Sequence, residues 1–363
     1  MKIFVIGEIR GAYRTKNLLH TLIDNKKISC RYNSFYVPQS GIKRFIYKLF
    51  LFPGEFFDLL RSDVVFVAAM QHDNKLIKTA HFLKKRIITD FYISFYDTEV
   101  NDRKICRKDS KRARMLRNCD RYALQNSDTL LFLNSSEARL FCSAVDVDVK
   151  SINAKVIPLC IDEKEPVKLD YFTGKRDVLN LCWTGTYIPL QGLEKIIKAM
   201  KILKQKKVGC HLYIWGDTDE KAKPYSDMID EYDLNDMITV HNEWGNVDKW
   251  KSFIVDTCDV SMGIFGDSDK ARTVLANKVV DGAAFRSPVV TAESDGLYEY
   301  FDGKNDLFAV HNTPEAIADE IEKISMMSYD QINEHVDRSY GIYKNNFTYS
   351  SYRDTIYKLI GLE

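Results

Sequence analysis

Residues 263–290, GIFGDSDKARTVLANKVVDGAAFRSPVV, set a Gly-rich turn, a basic and polar segment, an Asn-Lys pair and one acid directly ahead of a short apolar strand. In an α/β protein this is where a phosphorylated ligand is held, because backbone N–H groups at a helix N-terminus favour anions. Lys270, Arg272 and Lys278 add point charges to that turn. Asp281 lies three residues beyond Lys278, so on a helix the two share a side. A cation for phosphate beside an acid for sugar hydroxyls points to a nucleotide-sugar site.

Working outward, short β-rich runs alternate with helical patterns: KIFVI, VVFVA, RIIT, TLLFL and KVIPL, then LNLCWT, HLYIW, MITVH, DVSMG and PVVT. Such alternation predicts β-α-β units around parallel sheets. The stretch 161–177, IDEKEPVKLDYFTGKRD, is charged and poor in apolar residues, which predicts a linker. Each half then reads as a doubly wound sheet that binds ligands at the C-terminal ends of its strands. The expected organisation is a Rossmann-like domain over 1–165, a second over 176–336, and a C-terminal helix within 337–363 that packs back toward the first. In SSYRDTIYKLIGLE, Ile356, Leu359 and Ile360 fall at helical spacing.

Composition narrows the class. The 363 residues, 45% of them hydrophobic, suffice for two cores. A formal net charge of +1 gives no field of the kind that nucleic-acid binders carry. The eight cysteines are scattered, with no C-x-x-C pair, so neither a zinc site nor a disulfide framework is expected, and a reducing, cytoplasmic setting fits. The opening MKIFVIGEIRG lacks the parts of a secretory signal, and no apolar run reaches membrane-spanning length.

Several segments, in order, resemble the two-domain glycosyltransferases of family 4. KVIPLCID is similar to the strand and Pro turn leading into that family's second domain, LCWTGTYIPLQGLEKIIKAMKIL to its first strand, glycine turn and helix, and HLYIWGD to its second strand. NKVVDGAAFRSPVVTAESDGLYEYF resembles the donor-site helix and following strand. The resemblance implies the GT-B fold, two Rossmann-like domains facing across a cleft, and a retaining transfer from a nucleotide-diphosphate sugar. Departures are specific. Where the family commonly has E-x7-E, this chain has Thr273 and Asp281; where an Arg and a Lys commonly grip the donor diphosphate, it has Thr186 and Gln191. The leaving diphosphate still needs a cation in the transition state. That duty is therefore expected of Lys270, assisted by Lys278 or Arg272, with Gly185, Gly266 and Asn277 shaping the donor site. Trp244 offers a stacking face for the nucleobase, with plain packing as its alternative.

The first half is expected to hold the acceptor. GEIRGAYRT places Gly7, Arg10 and Gly11 after the first strand, as an acceptor or phosphate loop or a plain tight turn. RIITDFYISFYDT presents Asp90 and Asp97. The resembling family commonly has a His near Asp90 that faces the reacting sugar, and a carboxylate there can bind a hydroxyl or accept a proton. DTD at 217–219 and DSD at 267–269 read as turn aspartates, so no metal is expected. The stretches GIKRFIYKLFLFPGEFFDLL and RKICRKDSKRARMLRNCDR seat the protein on anionic lipid, or form a core helix and a solvated charged face. The implied acceptor is a glycan or lipid-linked glycan, as in surface polysaccharide synthesis. Rival functions are a nucleotide-sugar epimerase of the same build and a non-catalytic glycan-binding relative.

Overall fold

The computed structural model describes residues 1–7, 13–32, 41–72, 75–163, 167 and 178–362, with backbone alone at 41, 43–45 and 47–51. Two compact units emerge, Met1–Pro158 together with Tyr352–Glu363, and Leu159–Ser351.

In the first unit the chain order is β1 (Lys2–Ile6), α1 (Tyr13–Ile23), β2 (Ser29–Tyr32), α2 (Gly41–Arg61), β3 (Val64–Val67), α3 (Leu76–Phe82) and β4 (Arg86–Asp90). A π-helical turn, Asp97–Asp102, precedes α4 (Lys111–Asn126), β5 (Thr129–Phe132), α5 (Ser135–Ala144) and β6 (Ala154–Val156). The strands form a six-stranded parallel sheet in the order β2-β1-β3-β4-β5-β6. β3 and β5 are buried along their whole length, which is why their sequences read as unbroken apolar runs rather than alternating ones.

The second unit runs β7 (Leu179–Thr184), α6 (Leu193–Lys206), β8 (Cys210–Trp215), α7 (Asp219–Glu231), β9 (Ile238–His241), α8 (Val247–Asp256) and β10 (Val260–Met262). It continues through α9 (Asp269–Thr273), α10 (Asn277–Ala284), β11 (Val289–Ala292), α11 (Asp295–Tyr298), β12 (Phe308–Val310), α12 (Pro314–Met326) and α13 (Tyr329–Asn346). Its parallel sheet has the order β12-β11-β10-β7-β8-β9. The winding reverses between β7 and β10, and doubly wound sheets bind ligands beyond the C-terminal strand ends at such a reversal. One face of β7, with Leu181 and Trp183, joins α6 residues Ile196, Ile197 and Met200 in the main core.

The units part at Pro158, ahead of the expected linker, of which 164–166 and 168–177 lie outside the described residues. The segment 337–363 is not one closing helix. A capping box at Ser328 and Gln331 starts α13 upstream of it, and α13 stays with the second unit. A second helix, α14 (Tyr349–Ile360), returns to the first unit, burying Ile356 and Ile360. There Tyr357 Oη donates to the Thr21 carbonyl at 3.0 Å, and Arg86 donates to that of Leu359 at 2.8 Å. None of the eight cysteines forms a disulfide. Among the described residues no helix is long and apolar enough to cross a membrane.

Candidate functional site

The site begins where β7 ends. Gly185 follows the strand, and the turn 189–191 brings the chain to Gly192, whose φ of +61° is left-handed. A Cβ on Gly192 would run into the Phe265 backbone, and one on Gly266 would lie 2.5 Å from the Leu190 carbonyl oxygen. The Phe265 N–H donates to the Gln191 carbonyl at 3.0 Å. The PLQG turn after β7 and the GIFG segment after β10 thus interlock backbone to backbone, and only glycine permits that approach. Both lie at the point where the winding reverses.

Ser268 then caps α9, its Oγ accepting from the Ala271 N–H at 3.2 Å. α10 starts two residues beyond Leu275, with Asn277 exposed in its first turn and Lys278 buried. The Lys278 Nζ lies 3.3 Å from where a Cβ on Gly185 would stand and 4.1 Å from the Trp183 ring centroid. It has no hydrogen-bond partner among the described residues. Burial drives this amine well below the ordinary lysine range, with Cys182 and Asp281 opposing the shift. Asp281, one turn along α10, is half-buried. Gln191 adds a buried Oε1 that also lacks a partner among the described residues. Lys278 thus lies beside Gly185 with Asp281 bearing on it, while Gly266 lies against Leu190 in the turn that also carries Gln191.

Other candidates are placed differently. Lys270 is buried on α9, while Arg272 is exposed and turns back to the Asp267 carbonyl (3.0 Å) and the Asp269 carboxylate (3.4 Å). Thr186 is half-buried in the turn after β7. Trp244 stacks on Trp250 with centroids 5.2 Å apart and planes 8° apart, so at least one of its faces is packing. The DSD and DTD carboxylates make salt bridges and side-chain bonds. Asp267 pairs with Lys195 and accepts from Asn312 at 3.1 Å, Asp217 pairs with Lys221, and Asp219 accepts from Asn242.

In the first unit, Gly7 closes β1 against the Gln71 side chain, and Arg10 and Gly11 lie outside the described residues. Asp90 does not stand open toward a sugar. It is 2% exposed and takes Arg14 Nε on both oxygens, at 3.2 and 2.9 Å. Arg14 in turn donates to the carbonyls of Ile157 (2.9 Å) and Pro158 (3.1 Å), the last residues before the chain leaves this unit. Burial works against the guanidinium charge, but Asp90 together with Tyr352 and Tyr13 holds the arginine above its ordinary value. Asp97 is buried at the start of the π-helical turn, accepting from Asn101 at 3.1 Å.

One buried constellation carried no signal in the sequence. His72 Nε2 donates to Asp120 Oδ1 at 2.8 Å, and its ring stacks on Phe95 at 3.9 Å. Asp120 also accepts from the Ser94 hydroxyl (2.6 Å) and the N–H groups of Phe95 (3.2 Å) and Tyr96 (2.9 Å). His72, Cys119 and Asp120 bring nitrogen, sulfur and oxygen within 4.8 Å of one another. Each Asp120 oxygen already accepts two hydrogen bonds, while the buried His72 Nδ1 has no partner among the described residues. Forty-eight residues separate the partners, so no local motif announces them.

Two parallel, doubly wound sheets, with interlocked glycine turns at the second sheet's winding reversal, define the GT-B fold. Residues 179–326, within the second unit, match the model of the family glycosyl transferases group 1. YqgM of Bacillus subtilis (strain 168), an uncharacterized glycosyltransferase, is 22% identical over 248 residues, 68% of this chain. The match spans 62% of that relative's length. Among solved structures, HepE (Alr3699) of Anabaena in complex with UDP and glucose superposes with a TM-score of 0.69 at 12% identity, covering 99% of both chains. The sucrose-phosphate synthase of Thermosynechococcus elongatus gives 0.69 at 11%, covering 99% of this chain and 98% of that one.

Proposed function

We propose that this chain is a retaining, metal-independent glycosyltransferase, of hexosyltransferase type, that moves a sugar from a nucleotide-diphosphate donor to a glycan or lipid-linked glycan in surface polysaccharide synthesis. The donor binds at the β7–β10 reversal of the second unit. The observation that carries this is the Lys278 amine, buried beside Gly185 without a partner among the described residues. A buried amine in that state is strongly disfavoured unless a ligand completes it, and a diphosphate supplies both charge and acceptors. Lys278 is thus the first cation of the site, and Lys270 assists it. Asp281 accepts from ribose hydroxyls. The pairing of Asp267 with Lys195 supports metal independence, since that carboxylate already has a cation.

The acceptor belongs to the first unit, and a peripheral position on the cytoplasmic membrane face suits a lipid-linked one. α2 supports this with exposed Ile42, Ile46, Phe52 and Phe57. A thermal-shift screen of nucleoside diphosphates and their sugars tests the donor site, because a ligand of the folded state raises apparent stability. At least one nucleoside diphosphate is expected to raise the Tm of the wild type in EDTA. UDP comes first, as HepE was solved with it. No shift with any of them, or a shift that needs Mg²⁺ or Mn²⁺, contradicts the reading.

A further inference from the structure

We propose that nucleoside diphosphate binding is coupled to uptake of a proton by the Lys278 amine, so that the ligand's arrival creates the cation that grips it. The inference rests on the donor site proposed above and adds how that site acquires its charge.

The geometry sets the condition. In the unliganded protein the amine is buried over the Trp183 indole, 4.1 Å from its centroid, with no hydrogen-bond partner among the described residues. A cation–π contact falls well short of what desolvating an ammonium costs. The groups that bear on it are few. β7 presents the Cys182 thiol and α10 presents Asp281, both favouring the charged form, yet burial outweighs them. From the turn after β7 come Gln191 and Thr186, which are uncharged. No fixed positive charge at those two positions binds the diphosphate first. Where no diphosphate binds, burial therefore favours the neutral form of the amine. A diphosphate against Gly185 supplies negative charge and acceptor oxygens at the amine, which restores its basicity and draws a proton from solvent. Affinity then rises as pH falls from the bound to the free value of this amine, by up to about tenfold per pH unit for one linked proton.

Titration calorimetry with UDP, and with GDP and pyrophosphate as parallel probes, measures the coupling directly. Runs in HEPES and Tris, whose ionisation heats differ, give the number of protons exchanged with the two nucleoside diphosphates at each pH between about 7.5 and 8.5, where their phosphates and bases titrate little; pyrophosphate, which titrates there itself, reports binding only. Wild type is expected to take up as much as about one proton per bound nucleoside diphosphate within that range. Lys278→Arg, which cannot lose its charge, is expected to bind with none; if that variant does not fold, Lys278→Met is expected to lose both affinity and uptake. Binding with no uptake by wild type at any pH, or uptake that survives in Lys278→Met, overturns the coupling and leaves the donor site standing. Failure of all three probes to bind overturns both.

Discussion

Asp90 and Lys278 are both buried charged residues, and their surroundings assign them opposite roles. Asp90 has its counter-ion in Arg14, whose Nη1 donates to the carbonyls of Ile157 and Pro158. Lys278 has none among the described residues. Removing one member of a buried pair leaves the other uncompensated, so Asp90→Ala is expected to cost about 3–5 kcal/mol in urea unfolding. Replacing both partners in Arg14→Met/Asp90→Leu is expected to recover much of that loss. A carboxylate that instead faces the sugar gives the reverse result, lost turnover at unchanged stability. The sequence located both residues at strand or helix ends but not their partners. Arg14 lies 76 residues from Asp90, and no spacing rule reaches that far. The choice between Lys270 and Lys278 was equally hidden, because it depends on which side chain passes under the Trp183 ring.

At the scale of elements, the sequence was most legible where strands are buried on both faces. LNLCWT, predicted as a strand, is β7 to the residue, and VVFV is β3. The edge strands β2 and β12 were missed for a physical reason. SCRY is almost wholly exposed and polar, and FAV spans three residues, so neither offers an apolar run. Within the basic stretch 103–121, Ser110 caps α4 and starts it at Lys111. Its arginines are also largely engaged, Arg112 with Glu99 and both Arg117 and Arg121 with Asp146. That weakens α4 as a lipid-binding face and leaves α2 as the stronger candidate. Liposome co-sedimentation checks it: Phe52→Ser/Phe57→Ser is expected to reduce binding to acidic vesicles several-fold, while charge reversal at Arg117 changes little. Equal binding by both variants removes α2 from the account.

For the whole molecule, the alternation of strands and helices was enough to predict two doubly wound sheets, and the GT-B likeness extends over 99% of the chain. The boundaries were less legible. The chain crosses between units at Pro158 and returns at Tyr352, within α14, where composition does not change. What the two units do together follows from one claim, that the second binds a nucleotide-diphosphate sugar through Lys278 and stabilises its departing diphosphate. Release of nucleoside diphosphate from a panel of nucleotide sugars, compared between wild type and Lys278→Met of equal Tm, tests this most directly. Slow release by wild type, reduced about 100-fold or more in the variant, is the predicted result. Equal rates in the two proteins, or no release from any nucleotide sugar by wild type, would contradict it.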